Sequence, residues 1–242
     1  MHHRARPPAV HASTHLFAGN GMAAEHLRLY SYWRSSAAYR VRIGLNLKSL
    51  PYETVPVHLI RDGGEQHSAA FRHVNPQELV PVLQHGDRVM RQSVAILEYL
   101  DETWPEPPLL PAAARDRQRV RALAQVIACD IHPLNNLRVL QHFDRNWHVP
   151  QPERDAWVQH WIRDGFAALE AMLADHPSTG TFCEGNSPTI ADCCLVPQVY
   201  NARRFAVDLS TYPTIMRIEK ACLALPAFDA ARPEKQPDAP AV

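Results

Sequence analysis

No stretch of this chain holds the ~20 consecutive apolar residues that a bilayer-spanning helix requires, and no apolar segment follows the basic residues near its N-terminus. A membrane anchor and a secretory leader are therefore not expected, and a cytoplasmic location is. Net charge is lacking too, because 25 lysines and arginines balance 25 aspartates and glutamates. Without a field of one sign, nothing draws the whole chain to nucleic acid or an anionic membrane, so any anion must be recognised locally. Cysteine is sparse: Cys129, Cys183, Cys193, Cys194 and Cys222 include no CxxC and make an odd count, which argues against a disulfide framework. They read as small buried hydrophobes. No cysteine precedes residue 129, so dithiol redox chemistry finds no residues there. Cys129 and His132 share a helical segment but have no companion pair at zinc spacing, so no metal site is expected.

What is present divides the chain in two. At 242 residues the length suits two modest domains. Residues 1–24 carry His, Pro, Ala and Gly without periodicity, with Met22 just before the first strand pattern, and read as a disordered extension. From Leu27 to Trp33 the chain is β-prone; from Ser36 to Leu50 it turns helical. A second strand pattern, Thr54 to Leu59, precedes Arg61-Asp62-Gly63-Gly64 and a short helix near Ser68 to Val74. Val80 to Leu83 and Arg88 to Met90 flank a turn at His85-Gly86-Asp87 and predict an antiparallel hairpin, followed by a helix from Ser93. The order is βαβαββα over residues 25–104. Pro105, Pro107 and Pro108 then break the pattern, making 105–111 a linker. Beyond it, residues 112–242 predict an all-helical domain, with helices over 112–143, 153–174, 189–203 and 214–223. The class is α+β. The proline-bearing tail after Arg232 is expected on the surface.

Two helix starts attract attention as chemistry. Ser35-Ser36 stands where strand one meets helix one, and serine there is commonly an N-cap. The alternative is a site: with Arg34 adjacent, an anion or thiolate would meet aligned N–H dipoles, a hydroxyl and a guanidinium. A thiol near ~8.5 when free ionises more readily in such surroundings. Gln92-Ser93 opens another helix and offers the same pair of readings, a cap or capture of a ligand carboxylate. Val80-Pro81, opening a strand, is either an edge device or, as a cis bond, a backbone edge left free for an extended peptide. Together these features suit a short anionic peptide. Thr189-Ile190-Ala191-Asp192 fits a capping box and reads as structural.

The run from Tyr30 to Ile43, Tyr-Ser-Tyr-Trp-Arg-Ser-Ser-Ala-Ala-Tyr-Arg-Val-Arg-Ile, closely resembles the N-terminal signature of zeta-class glutathione transferases, the maleylacetoacetate isomerases. Asp62 to Gln66, Asn75-Pro76, Val80-Pro81, Gln92-Ser93 and Asn186 to Asp192 also resemble family segments, and the likeness spans about Leu27 to Pro240. It implies a thioredoxin-like domain binding glutathione, an all-α domain carrying the second substrate, and a homodimer. Carried over by residue, it implies Ser35, with Ser36 beside it, as catalytic, the Ser35 hydroxyl stabilising the glutathione thiolate. Gln66, Val80, Gln92, Ser93, His132 and Asn136 are implied to bind glutathione, and His132 stands where many relatives have glutamine. Arg34, Arg138 and Arg204 are candidates to hold the carboxylates of a dicarboxylate keto acid. For Arg138 a solvated helix face, and for Arg204 a helix C-terminal charge, are the competing readings. Ala37 departs from the family, whose members often have cysteine there. The implied activity is glutathione-dependent isomerisation of maleylacetoacetate, from tyrosine and phenylalanine breakdown. Maleylpyruvate isomerase, a transferase or dehalogenase acting on small α-halo acids, and a non-catalytic glutathione-binding module remain alternatives.

Overall fold

The computed structural model describes residues 26–240. The extension predicted for 1–24 lies outside them. Four strands, β1 (Leu27–Ser31), β2 (Glu53–Pro56), β3 (Val82–His85) and β4 (Arg88–Arg91), form one mixed sheet in the order β2-β1-β3-β4. β1 runs parallel to β2, with Leu29 beside Thr54, and antiparallel to β3, with Leu29 beside Leu83. The predicted hairpin is there, turning on Gly86 and Asp87. Helices α1 (Ser36–Leu47), α2 (Ala69–Val74) and α3 (Ser93–Thr103) complete βαβαββα, and among the described residues only helices follow. No helix among the described residues is long and apolar enough to cross a membrane.

Helix α1 is buried on opposite faces, which explains why its sequence shows little amphipathic contrast. Val41 and Leu45, one turn apart, join Leu29, Leu83, Ile96 and Leu100 beneath the sheet. Tyr39 and Ile43 point the other way, into the core built by the later helices. Between them lies Arg42, fully buried, whose guanidinium donates to the carbonyls of Ala231, Tyr32 and Trp33 and to Ser31 Oγ at 3.0–3.4 Å. Burial still lowers its pKa to about 10.

Several predicted limits shift, each for a local reason. Strand one was expected to reach Trp33 but stops at Ser31, because the Trp33 N–H leaves the ladder to donate to Asp238 Oδ2 at 2.8 Å. Strand two ends at Pro56 rather than Leu59; two residues on, the His58 N–H turns to Glu65 Oε2 at 2.7 Å. The single helix predicted over 112–143 is four pieces. α4 (Ala114–Gln125) runs into a π-helical turn (Val126–Ile131) and a 3₁₀ turn (His132–Asn135), and α5 (Leu137–Trp147) starts afresh. Pro133 cannot donate an N–H, and the Asn136 side chain caps α5 by accepting from the Arg138 N–H at 3.1 Å. α6 (Gln151–Ala174) packs against this break through Gly165, where a Cβ would lie 2.3 Å from Ile131 Cγ1.

α7 (Ile190–Arg204) opens on the predicted capping box: Asp192 accepts from the Thr189 N–H at 2.7 Å and from Thr189 Oγ1 at 2.9 Å. α8 (Pro213–Leu223) and α9 (Pro226–Ala230) bring the chain back across α1. The tail does not simply lie on the surface. Pro233 is buried and the Asp238 carboxylate holds the end of β1, so a polar contact supplies what its apolar content could not; just before the tail, the Ala231 carbonyl takes the Arg42 Nε–H. Four cysteines are buried as expected; Cys129, on the π-helical turn, is exposed.

Candidate active site

A cavity of about 330 Å³ opens between the carboxyl end of β1 and the helices that follow α4. Nine of the eleven residues singled out from the sequence line it: Arg34, Ser35, Ser36, Gln66, Val80, His132, Asn136, Arg138 and Arg204. They come from six separate segments, so their meeting is a product of tertiary structure. Gln92 and Ser93 do not line it. They stand one step behind its wall, where Gln92 Nε2 donates to Oε1 of the lining residue Gln77 at 3.1 Å.

Ser35 meets its cap reading and also lines the cavity. It is the N-cap of α1, its Oγ accepting from the Ala38 N–H at 3.2 Å. A hydroxyl that accepts a backbone N–H keeps its own hydrogen, which here can be given to an anion in the cavity. The field favours such an anion: the first turn of α1 carries no acidic side chain, and Arg34, stacked over Trp33 at 5.3 Å, stands beside it. Val80 joins Pro81 through a cis peptide bond.

The second helix start is less capped than the sequence suggested. Gln92 makes no side-chain cap to α3, no acidic residue sits in the first turn, and Gln92 itself adopts φ +70°. For a residue with a side chain that left-handed conformation costs on the order of 1–3 kcal/mol, and such costs gather at binding sites.

Unsatisfied polar atoms in the wall indicate what the cavity would take. Gln66 Nε2 donates to the Leu59 carbonyl at 3.2 Å, whereas its buried Oε1 has no partner. Both amide atoms of buried Asn135 are likewise unpaired. A buried donor or acceptor left without a partner costs about 1–3 kcal/mol, so these atoms fit a ligand rich in amide and carboxyl groups. Glutathione is such a ligand. Sequence reasoning passed over Asn135, although its place beside Asn136 was a signal. Tyr32, Gln141, Asn201 and Phe205 were also missed, since nothing local marks them as cavity residues.

His132 faces the cavity in its neutral form. Burial, reinforced by the nearby Arg40 and Arg138 guanidiniums, pushes its pKa down to about 3. Asn136 is divided between roles, its Oδ1 committed to the α5 cap. Arg34, Arg138 and Arg204 take part in no salt bridge among the described residues, whereas Arg203 next door is clamped bidentately by Glu219. Arg204 does stand, with Arg203, in the last turn of α7, as the helix C-terminal reading expected, and it also lines the cavity. Burial first, and then repulsion from Arg34, lower the Arg204 pKa, so these two guanidiniums share one region of the cavity. Glu78, an acidic residue of the wall, is already engaged by His67 and Arg72, which hold it below the usual carboxylate range.

Comparisons with known proteins place this geometry among relatives. Residues 29–108 match the family model described as glutathione S-transferase, N-terminal domain. A probable maleylacetoacetate isomerase from Vibrio cholerae serotype O1 is 54% identical, over 88% of this chain and 98% of its own length. Among solved structures, a holo maleylpyruvate isomerase described as a bacterial glutathione S-transferase of the zeta class superposes with a TM-score of 0.86. It is 49% identical over 88% of this chain and 100% of that one. A maleylacetoacetate isomerase from Methylobacterium extorquens AM1, solved with bound malonate and glutathione, gives a TM-score of 0.85 at 43% identity, over 88% of this chain and 100% of that one.

Proposed function

Since the chain belongs to the zeta-class glutathione transferases that include the maleylacetoacetate isomerases, we propose that it converts maleylacetoacetate to fumarylacetoacetate by glutathione-dependent cis–trans isomerisation. The observation that carries this reading is the junction, in one cavity, of an α1 N-terminus bearing Ser35 with three arginines free of salt bridges, Arg34, Arg138 and Arg204. A maleyl keto acid has two carboxylates, and unpaired guanidiniums are the side chains that hold carboxylates bidentately.

In this reading residues 25–104 hold glutathione and residues 112–242 complete the site for the keto acid. Glutathione, when bound, supplies a thiolate that can add reversibly to the cis double bond and leave after rotation. Gln66 Oε1 accepts from it, the Val80 backbone pairs with it, and the α3 N-terminus with Gln92 and Ser93 takes a carboxylate. Ser35 donates its hydroxyl hydrogen to the sulfur, and Ser36 and the α1 N–H groups add to the positive field there. Neutral His132 and the Asn136 amide supply further hydrogen bonds without adding charge. The arginines orient the substrate and stabilise the negative charge that builds on its carbonyl side. Ala37 does not interrupt this scheme, which uses no cysteine.

The test is the ultraviolet absorbance change of purified protein with maleylacetoacetate, with and without glutathione. Turnover that requires glutathione is expected; glutathione binding without turnover would overturn the reading and leave a binding module. The superposition on a maleylpyruvate isomerase supports a second reading, maleylpyruvate as substrate, which the same assay ranks. Faster release of halide from dichloroacetate than turnover of either keto acid would favour the dehalogenase instead. The proposal includes a cytoplasmic homodimer, following the family resemblance, and sedimentation equilibrium at micromolar concentration checks the dimer.

A further inference from the structure

Arg40 is the polar residue that the scheme above does not use. It lies on α1, only 2% exposed, and its guanidinium makes one hydrogen bond, from Nη1 to Ser93 Oγ at 3.2 Å. Nε and Nη2 are buried with no partner, and no carboxylate among the described residues forms a salt bridge with it. The titratable groups nearest it are the Cys129 and Cys194 thiols and neutral His132, none of them a carboxylate. An uncompensated buried guanidinium is expensive, several kcal/mol even after relaxation. Arg42, two residues on, shows how this fold satisfies such a group when its purpose is structural: each of its donor nitrogens Nε, Nη1 and Nη2 has an acceptor.

The position of the missing partner follows from the Ser93 hydroxyl. Because that oxygen accepts from Arg40, its own hydrogen must go elsewhere. Ser93 is the first residue of α3, an eleven-residue helix whose N-terminus has no side-chain cap and no acidic residue. A donor hydroxyl, free backbone N–H groups, the positive end of the helix and a buried cation behind them all ask for the same thing, a carboxylate.

We infer that Arg40 is a positioning residue for one carboxylate of glutathione, orienting the Ser93 hydroxyl as a donor and supplying the buried counter-charge behind it. This deepens the proposed function and rests on it. The arrangement also implies that Arg40 burdens the fold in the absence of ligand and is relieved when the carboxylate arrives.

The experiment compares the full chain with Arg40→Met by calorimetric titration of glutathione and of two analogues, one lacking the glutamyl α-carboxylate and one with the glycine carboxylate amidated. Arg40→Met is expected to weaken glutathione roughly 10- to 100-fold, the range for a hydrogen bond to a charged group. The loss should disappear for one analogue and persist for the other, which identifies the carboxylate. KM for glutathione should rise by the same factor with kcat at saturation within about twofold, and the ligand-free melting temperature should hold or rise. Unchanged affinity, equal loss on all three ligands, or a lower ligand-free melting temperature would each overturn the inference. Ser93→Ala gives an independent arm, since it leaves Arg40 in place; wild-type affinity for glutathione in that variant also overturns it. A wild-type chain that fails to bind glutathione at all refutes the proposed function instead.

Discussion

At the scale of single residues, Ser35 joins a structural role to a proposed chemical one. Its oxygen caps α1 and its hydrogen is left for a ligand in the cavity it lines, so Ser35→Ala should lose both, unequally. Loss of one positioned donor to developing charge typically lowers kcat about 10²- to 10³-fold, while loss of the cap costs about 1 kcal/mol. Steady-state kinetics and thermal melts on the same variant separate the two effects, and near-normal kcat would remove Ser35 from the catalytic role. His132 makes a prediction of opposite character. Its pKa of about 3 lies below the unfolded value of 6.5, so the folded chain binds fewer protons than the unfolded chain between those values. Its contribution is complete above pH 6.5 and is lost as pH falls toward 3. His132 keeps an edge open to the cavity, which limits the loss at pH 5 to no more than about 2 kcal/mol. His132→Gln should therefore melt with a shallower pH dependence between pH 7 and 5 than the wild type; parallel curves would contradict the assignment. Ser35 and Arg34 stood out in the sequence by their place at a helix start, whereas Gln66, Arg138 and Arg204 were singled out through the family resemblance. The neutrality of His132 was not, because it depends on burial and on Arg40, 92 positions away along the chain.

At the scale of elements, the segment between α4 and α6 decides the shape of the site. Read as a sequence, residues 112–143 are one helix, since their apolar spacing hardly falters. The structure breaks it at the π-helical turn and restarts it at Asn136, which re-aims α5 so that Leu137, Arg138, Leu140 and Gln141 reach the cavity. Asn136→Ala removes the α5 cap, with an expected cost of about 1 kcal/mol. Because Arg138 rides on the first turn, KM for the keto acid should rise severalfold while glutathione affinity changes less, a split that kinetics with each substrate varied will show. The break is held from outside by α6. Gly165→Ala would place a Cβ against Ile131, and overpacking of this kind costs about 1–3 kcal/mol. Differential scanning calorimetry should show the loss, and unchanged stability would mean that the π-helical turn yields. Pro133 was the one local signal that the helix is interrupted, and only the facing helix selects where.

At the scale of the molecule, the chain is closed by its tail. Asp238 lies 205 positions from Trp33, yet its carboxylate holds the N–H at the exit of β1, directly before Arg34 and Ser35. Asp238→Ala should lower stability by about 1–2 kcal/mol, the worth of a partly buried charged hydrogen bond, or about 2–8 °C at this size. A melt within 1 °C of wild type would show that β1 ends there without the tail's help. The sequence by itself determined what is periodic or local: the helix and strand order, the hairpin at Gly86-Asp87, the capping box of α7, and the residue types that a thiolate and two carboxylates require. Propensity, capping and side-chain chemistry act over a few residues, and so are written there. Tertiary structure alone decided the rest. It placed Gln92 and Ser93 behind the cavity wall, turned the proline-bearing tail into an anchor, paired Arg203 with Glu219, and satisfied Arg42 while leaving two of Arg40's nitrogens without a partner. Such outcomes depend on which distant groups share a low-dielectric interior, and no window of sequence contains that information.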